Sequence, residues 1–308
     1  MGESSESGWL PLFWPGATRA IIIGMISLKK GGSPTFSPDG KMLAVCSTSL
    51  IFLYDVESGE CIREFKSIPK TSYLAFSPAG NRIVAKAATG QIAVFDLEGA
   101  MIVDFLNAHE KEGSNPLWSS DGTAIIDGSW DGVLQRRDAT TGKVLARREM
   151  LMIRSLTQMQ DGLISISALK PGQNPVSVLS FADPETLEGK GAPEEFPSEV
   201  DKPMLTPDGG FLVYFIDAAE PEMVAVNLRS KEEFRVKITQ DGAGKLAFDA
   251  DCRYVSCPRF PGAVKIFTLE GLQEIAHFEI PYPSLSTFSP DGKRICVGGW
   301  TSGILAEL

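Results

Sequence analysis

Phe36-Ser37-Pro38-Asp39-Gly40 reads as a tight turn that follows an apolar residue, and the pattern returns along the chain. Proline sets φ at the second position of such a turn, aspartate bonds its local backbone, and glycine takes the positive φ that follows. Clear copies are Phe76-Ser77-Pro78-Ala79-Gly80, Trp118-Ser119-Ser120-Asp121-Gly122, Leu205-Thr206-Pro207-Asp208-Gly209 and Phe288-Ser289-Pro290-Asp291-Gly292. Two copies have decayed, to Gln158-Met159-Gln160-Asp161-Gly162 and Phe248-Asp249-Ala250-Asp251-Cys252. Between fifth positions the steps are 40, 42, 40, 47, 43 and 40 residues.

Each turn is followed by a short apolar strand, such as Met42–Val45 or Phe211–Phe215. A second strand comes next, as in Ile51–Asp55 and Ile92–Asp96, and then a third, as in Cys61–Phe65 and Met101–Phe105. Seven anchors at a period of about 40–45 residues predict an all-β, seven-bladed β-propeller. The last anchor is followed by only two strands before Leu308, so the seventh blade lacks its outer strand. Residues 20–27 precede the first anchor at the distance where an outer strand belongs, and are expected to close the last blade. That closure would remove an open sheet edge. The expected division is a tail over residues 1–19 and one propeller domain over residues 20–308.

The third repeat carries a resemblance to the WD-repeat family, which it shares with residues 20–308 as a whole. Gly128-Ser129-Trp130-Asp131-Gly132 is similar to that family's turn between second and third strands, and His109 stands where the family keeps a histidine. The resemblance implies that His109, Ser129 and Asp131 hold three positions of a buried hydrogen-bonded tetrad, with Arg137 in place of its tryptophan. Other repeats depart from the pattern: the terminal Trp-Asp pair is replaced by Tyr54-Asp55, Phe95-Asp96 and Phe267-Thr268. Relatives of this kind mostly serve as assembly platforms, so the resemblance implies a non-catalytic protein-interaction scaffold.

Composition bounds the alternatives. With 308 residues, 43% hydrophobic and 22% charged, the chain can bury a large core. Its net charge of −10 argues against nucleic-acid binding by bulk charge. The five cysteines, Cys46, Cys61, Cys252, Cys257 and Cys296, are odd in number and form no C-x-x-C pair, so they read as reduced apolar fillers. Glu3 and Glu6 precede the apolar N-terminal stretch, where a signal peptide would carry basic residues. Pro11, Pro15, Gly16 and Arg19 interrupt that stretch as a membrane span. A cytoplasmic protein, monomeric by itself, is expected. Trp9, Phe13 and Trp14 are expected either to pack against the propeller or to hook a partner.

His109 and His277 are the only histidines, which leaves few ways to build a catalytic centre and rules out a three-histidine zinc site. No cofactor motif, phosphate loop or metal-ligand spacing is present, so no cofactor, no metal and no enzyme activity are expected. The competing reading is an enzyme or small-ligand binder in the central channel, such as a lactonase-like hydrolase.

Two features stand out beyond the repeat. Asp127 and Arg136 fall where other repeats carry core residues, and the expectation is a mutual buried ion pair between them. Lys70, Lys111, Arg154, Lys202 and Lys245 occupy the loops that enter the inner strands, which converge around the axis. A cationic channel mouth suited to an acidic protein or peptide partner is the expectation. Between Asp183 and Asp201 lie seven acidic residues and three prolines, a stretch that reads as an irregular loop.

Overall fold

A computed structural model describes residues 24–105, 108–238, 245–259 and 262–308. Among these residues, seven four-stranded antiparallel sheets form the seven blades, and there is no helix. Blade 1 spans residues 32–66, blade 2 71–105, blade 3 117–149, blade 4 152–195, blade 5 200–237 and blade 6 247–279. Blade 7 combines Pro283–Phe288, Arg294–Gly299 and Gly303–Glu307 with an outer strand, Gly24–Leu28, from the other end of the chain. That strand pairs antiparallel with Gly303–Glu307, Gly24 facing Glu307 and Leu28 facing Gly303. The expected closing strand is therefore present as far as it lies within the described residues. Residues 20–23, and the aromatic residues Trp9, Phe13 and Trp14, lie outside them.

The turns explain why the repeat tolerates decay. In blade 1, the Ser37 hydroxyl donates to Asp39 Oδ1 at 2.6 Å and accepts from the Met42 amide at 2.9 Å, while Gly40 takes φ +71°. The same serine–aspartate bond recurs at Ser119–Asp121 and Ser289–Asp291, each at 2.6 Å. In blade 6, Asp249 stands at the serine position and accepts from the Arg253 and Tyr254 amides at 2.7 and 2.6 Å. Cys252 takes the glycine's place there with φ +53°. A carboxylate thus does the work of the hydroxyl, and the turn survives a sequence that no longer shows it.

Blades bury both faces of their sheets. Seven apolar clusters fill the seven gaps between neighbours: Leu53 and Ile51 of blade 1, for example, meet Phe76, Ile83 and Phe95 of blade 2. Leu43, Val45 and Phe52, on the opposite face of blade 1, pack against Leu28, Cys296 and Leu305 of blade 7. Middle strands consequently read as continuous buried runs rather than as an alternation, since each side chain has a neighbour whichever way it points.

The acidic stretch after Asp183 differs from its expected form. Gly189–Glu195 is an exposed outer strand, paired with the preceding strand Val176–Ala182 of blade 4. Asp183 caps the turn before it by accepting from the Glu185 and Thr186 amides, each at 2.9 Å. This outer strand buries no residue on either face, unlike those that place Leu28, Phe65 or Phe105 in a gap, so its composition concealed it.

Where blade 7 meets blade 1, backbones approach closely enough to require glycine. A Cβ on Gly298 would lie 2.2 Å from the Gly31 carbonyl oxygen and 2.7 Å from Pro34 Cδ. Gly298→Ala is expected to destabilise the protein by about 1–3 kcal/mol through overpacking at the closure. A urea denaturation midpoint equal to that of the wild type would contradict this.

Candidate functional site at the channel mouth

Antiparallel connectivity places the Pro-Asp-Gly turns on one face of the ring. The loops entering the inner strands share the opposite face with the turns between second and third strands. The mouth on that second face rests on a buried polar cluster between blades 2 and 3. Lys86, in the strand Arg82–Ala87, is fully buried. Its ammonium donates to Asp127 Oδ1 at 2.7 Å, the Gly128 carbonyl at 2.8 Å and the Ser114 carbonyl at 2.9 Å. All three protons are therefore used, which is what makes a buried charge tolerable. The other carboxylate oxygen of Asp127 lies 2.5 Å from His109 Nε2, and His109 Nδ1 lies 3.7 Å from Asp131 Oδ1. Ser129 in turn donates to Asp131.

The partner of Asp127 is thus Lys86 of the neighbouring blade, not Arg136. The register pairs Asp127 with Gln135 and Ile126 with Arg136. Residues directly opposite share a face, so Arg136 points with Ile126, away from Asp127. Both faces of a blade are buried, so a core position in the repeat does not reveal which gap the side chain enters. Lys86 carried a legible signal: it interrupts an apolar strand one repeat, 41 residues, before Asp127. Gln135, buried beside Asp127, accepts from Arg137 Nε at 2.7 Å, and the Arg137 guanidinium lies over the Phe105 ring. Burial holds the Arg137 pKa below its ordinary value, with Asp127 opposing the shift.

Above this cluster, the inner strands carry irregularities at their mouth ends. Register shifts fall between Ile153 and Ser155, between Asp201 and Met204, and between Thr71 and Tyr73. Each bulge leaves extra residues outside the ladder and re-aims their side chains. Arg154 and Lys202 are among these extra residues. Asp201 sits between the two, paired with Arg154 Nη1 and 3.7 Å from Lys202 Nζ. Lys245 enters from blade 6, and its amine donates to Asn115 Oδ1 in the loop leading to blade 3. Blades 3 and 6 stand three places apart in a ring of seven, so this side chain crosses the axis. It also lies 5.5 Å above the Tyr73 ring of blade 2. Desolvation, with the Lys86 charge adding to it, pushes the Lys245 pKa down to about 7. Lys70 and Lys111 are exposed on the same face. Contrary to the expectation that all five cations lie in entry loops, Arg154 and Lys202 stand within the inner strands, because the bulges there extend the strands through those positions.

His277 lies on the outer strand of blade 6, 3.5 Å from Glu274. Among the described residues, no group of three or more His, Cys, Asp or Glu side chains could hold a metal ion. No helix there is long and apolar enough to cross a membrane.

The same architecture is found in the C-terminal WD40 domain of Sif2, with a TM-score of 0.67 and 16% identity over 92% of this chain and 97% of that one. The chain shares the seven-bladed β-propeller fold of that domain. A chain of the Kuenenia stuttgartiensis hydrazine synthase shares the propeller fold at TM-score 0.72, with 14% identity over 91% of this chain and 96% of that one. In sequence, the propeller is 30% identical over 115 residues to eukaryotic translation initiation factor 3 subunit I of Candida albicans. It is 29% identical over 111 residues to the corresponding subunit of Debaryomyces hansenii. Each match covers 31% of this chain and 32% of the relative, so the chain spans about a third of the length of these curated proteins. No family model matches the propeller.

Two outcomes follow from this chemistry. Lys86→Met strands the Asp127 carboxylate in a dry gap and should cost about 3–5 kcal/mol in chemical denaturation. Arg136→Ala should cost far less, and equal losses would reject the assignment of the pair. For Lys245, the folded protein binds fewer protons than the unfolded chain between pH 7 and the amine's ordinary 10.5. Its contribution to stability must therefore rise with pH across that window. The stability difference between wild type and Lys245→Met should shift in the wild type's favour from pH 7 to pH 10, and a difference constant with pH would refute the lowered pKa.

Proposed function

We propose that this propeller is a non-catalytic interaction scaffold that binds a partner protein on its mouth face. The observation that carries the reading is the grouping of Arg154 and Lys202 on the mouth face with the exposed Lys70 and Lys111, in a chain whose net charge is −10. A local reversal of sign in an acidic protein steers a partner of opposite charge to one place and repels it elsewhere. The seven blades hold that face rigidly, so little ordering entropy is lost when it is covered. The proposed partner is a protein or peptide with an acidic surface, the propeller being monomeric without it and the setting cytoplasmic. Resemblance to an initiation-factor subunit and to a WD40 domain supports a role within an assembly.

The test replaces Lys70 and Lys202, both on the mouth face and outside the buried cluster, with glutamate. Wild type incubated in native lysate should retain a stoichiometric partner, and the Lys70→Glu/Lys202→Glu protein, with an unchanged melting temperature, should lose most of it. Equal retention by both proteins would reject the mouth face as the site, and no retained partner would reject the scaffold.

A further inference from the structure

The mouth face carries a second feature, away from the axis. Tyr282 and Trp300 of blade 7 stack with ring centroids 5.7 Å apart and planes 22° apart. They nevertheless remain 49% and 65% exposed. Large aromatics are the residues a fold gains most from burying, and Trp and Tyr are also those on which interfaces most often depend.

The pair stands on a stiff base. The Trp300 amide donates to the Tyr282 carbonyl at 3.2 Å, tying the turn to the entry loop. A Cβ on Gly31 would lie 2.2 Å from the Ser302 carbonyl oxygen and 2.5 Å from Gly303 Cα. The connection that carries Lys29 and Lys30 is therefore pressed against the turn that carries Trp300. A rigid platform of this kind loses little freedom when a partner covers it.

Charge on this face is unevenly divided. The loops of blades 7, 1 and 2 (residues 29–31, 48–49, 67–70, 88–91, 280–282 and 300–302) contain Lys29, Lys30 and Lys70 and no carboxylate. Across the ring, Glu199, Asp217 and Glu220 of blades 4 and 5 are accompanied by Arg154, Lys202 and Lys237, with Glu220 paired to Lys237 and Asp201 to Arg154. An acidic ligand thus meets lysines without intervening carboxylates on the aromatic side, whereas across the ring the cations already have carboxylate neighbours.

We infer that the Tyr282–Trp300 stack is the anchor for an extended acidic segment of a partner protein. An apolar side chain of that segment would lie on the rings, and its carboxylates would meet Lys29, Lys30 and Lys70. This rests on the scaffold reading and names the chemistry of the partner.

Selection of short random peptides displayed on phage against the full chain tests it. The enriched peptides should be acidic around one apolar or aromatic residue. Trp300→Ala should weaken them about 30-fold or more, as loss of an interface anchor does. Lys29→Glu/Lys30→Glu should weaken them as well, and neither variant should change the melting temperature. Acidic peptides that bind Trp300→Ala as well as wild type but fail on Lys70→Glu/Lys202→Glu would overturn the anchor and leave the scaffold reading intact. Enriched peptides without acidic character, or none at all, would overturn the inference outright. Retention or loss of the native partner in lysate then reports on the scaffold reading separately.

Discussion

Every blade must cover two faces at once, and only a closed ring lets all of them do so. A sheet at the end of an open row would leave one apolar face in water; the face of blade 1 that carries Leu43, Val45 and Phe52 would be such a surface. The antiparallel pairing of Gly24–Leu28 with Gly303–Glu307 prevents this by joining the two ends of the chain within one sheet. Backbone ladders there hold blade 7 as a four-stranded unit, and the glycines beside it let blade 1 come close. The apolar clusters of all seven gaps depend on that geometry, because a ring that opens at one gap frees the others to splay.

Within this apolar arrangement, the gap between blades 2 and 3 is an exception. Lys86, Asp127 and His109 place polar and ionic chemistry where the other gaps are mostly hydrocarbon. Such a cluster contributes less net stability than well-packed apolar residues would, but it tolerates only one arrangement. A misplaced neighbour would leave the carboxylate or the ammonium without partners. The cluster also reaches the mouth, since Ser114 accepts from Lys86 and the adjacent Asn115 accepts from Lys245. The Lys86 charge therefore acts on Lys245 at the axis, and the interior of one gap sets the electrostatics of the channel entrance.

The mouth face accordingly has three regions with different chemistry. Its centre holds cations partly neutralised by Asp201, one side pairs lysines with an aromatic stack, and the opposite side mixes carboxylates with paired cations. A face patterned in this way discriminates by repulsion as well as by attraction, which is how specificity is obtained when many partners compete.

The fold was legible because its signal is local and repeated. Proline, aspartate and glycine at fixed offsets act through φ and through short-range hydrogen bonds, and seven copies at a near-constant step leave one architecture. The missing outer strand could be counted in the same way. Lys70, Lys111 and Lys245 stand in entry loops as the repeat implies, whereas Arg154 and Lys202 stand on bulges within the inner strands. What lay beyond the sequence was direction. Asp127 and Arg136 both fell on core positions, but one residue of register sends them into different gaps. Bulges in the inner strands decide which side chains enter the channel. The nearness of Tyr282 to Trp300, and of Asn115 to Lys245, depends on how far the ring turns between blades. The amino-acid sequence alone determined the number of blades, their closure and the residues at each turn, because those depend on short-range backbone preferences. Tertiary structure decided which charges meet, because contacts across a gap or an axis depend on the register and curvature of whole sheets.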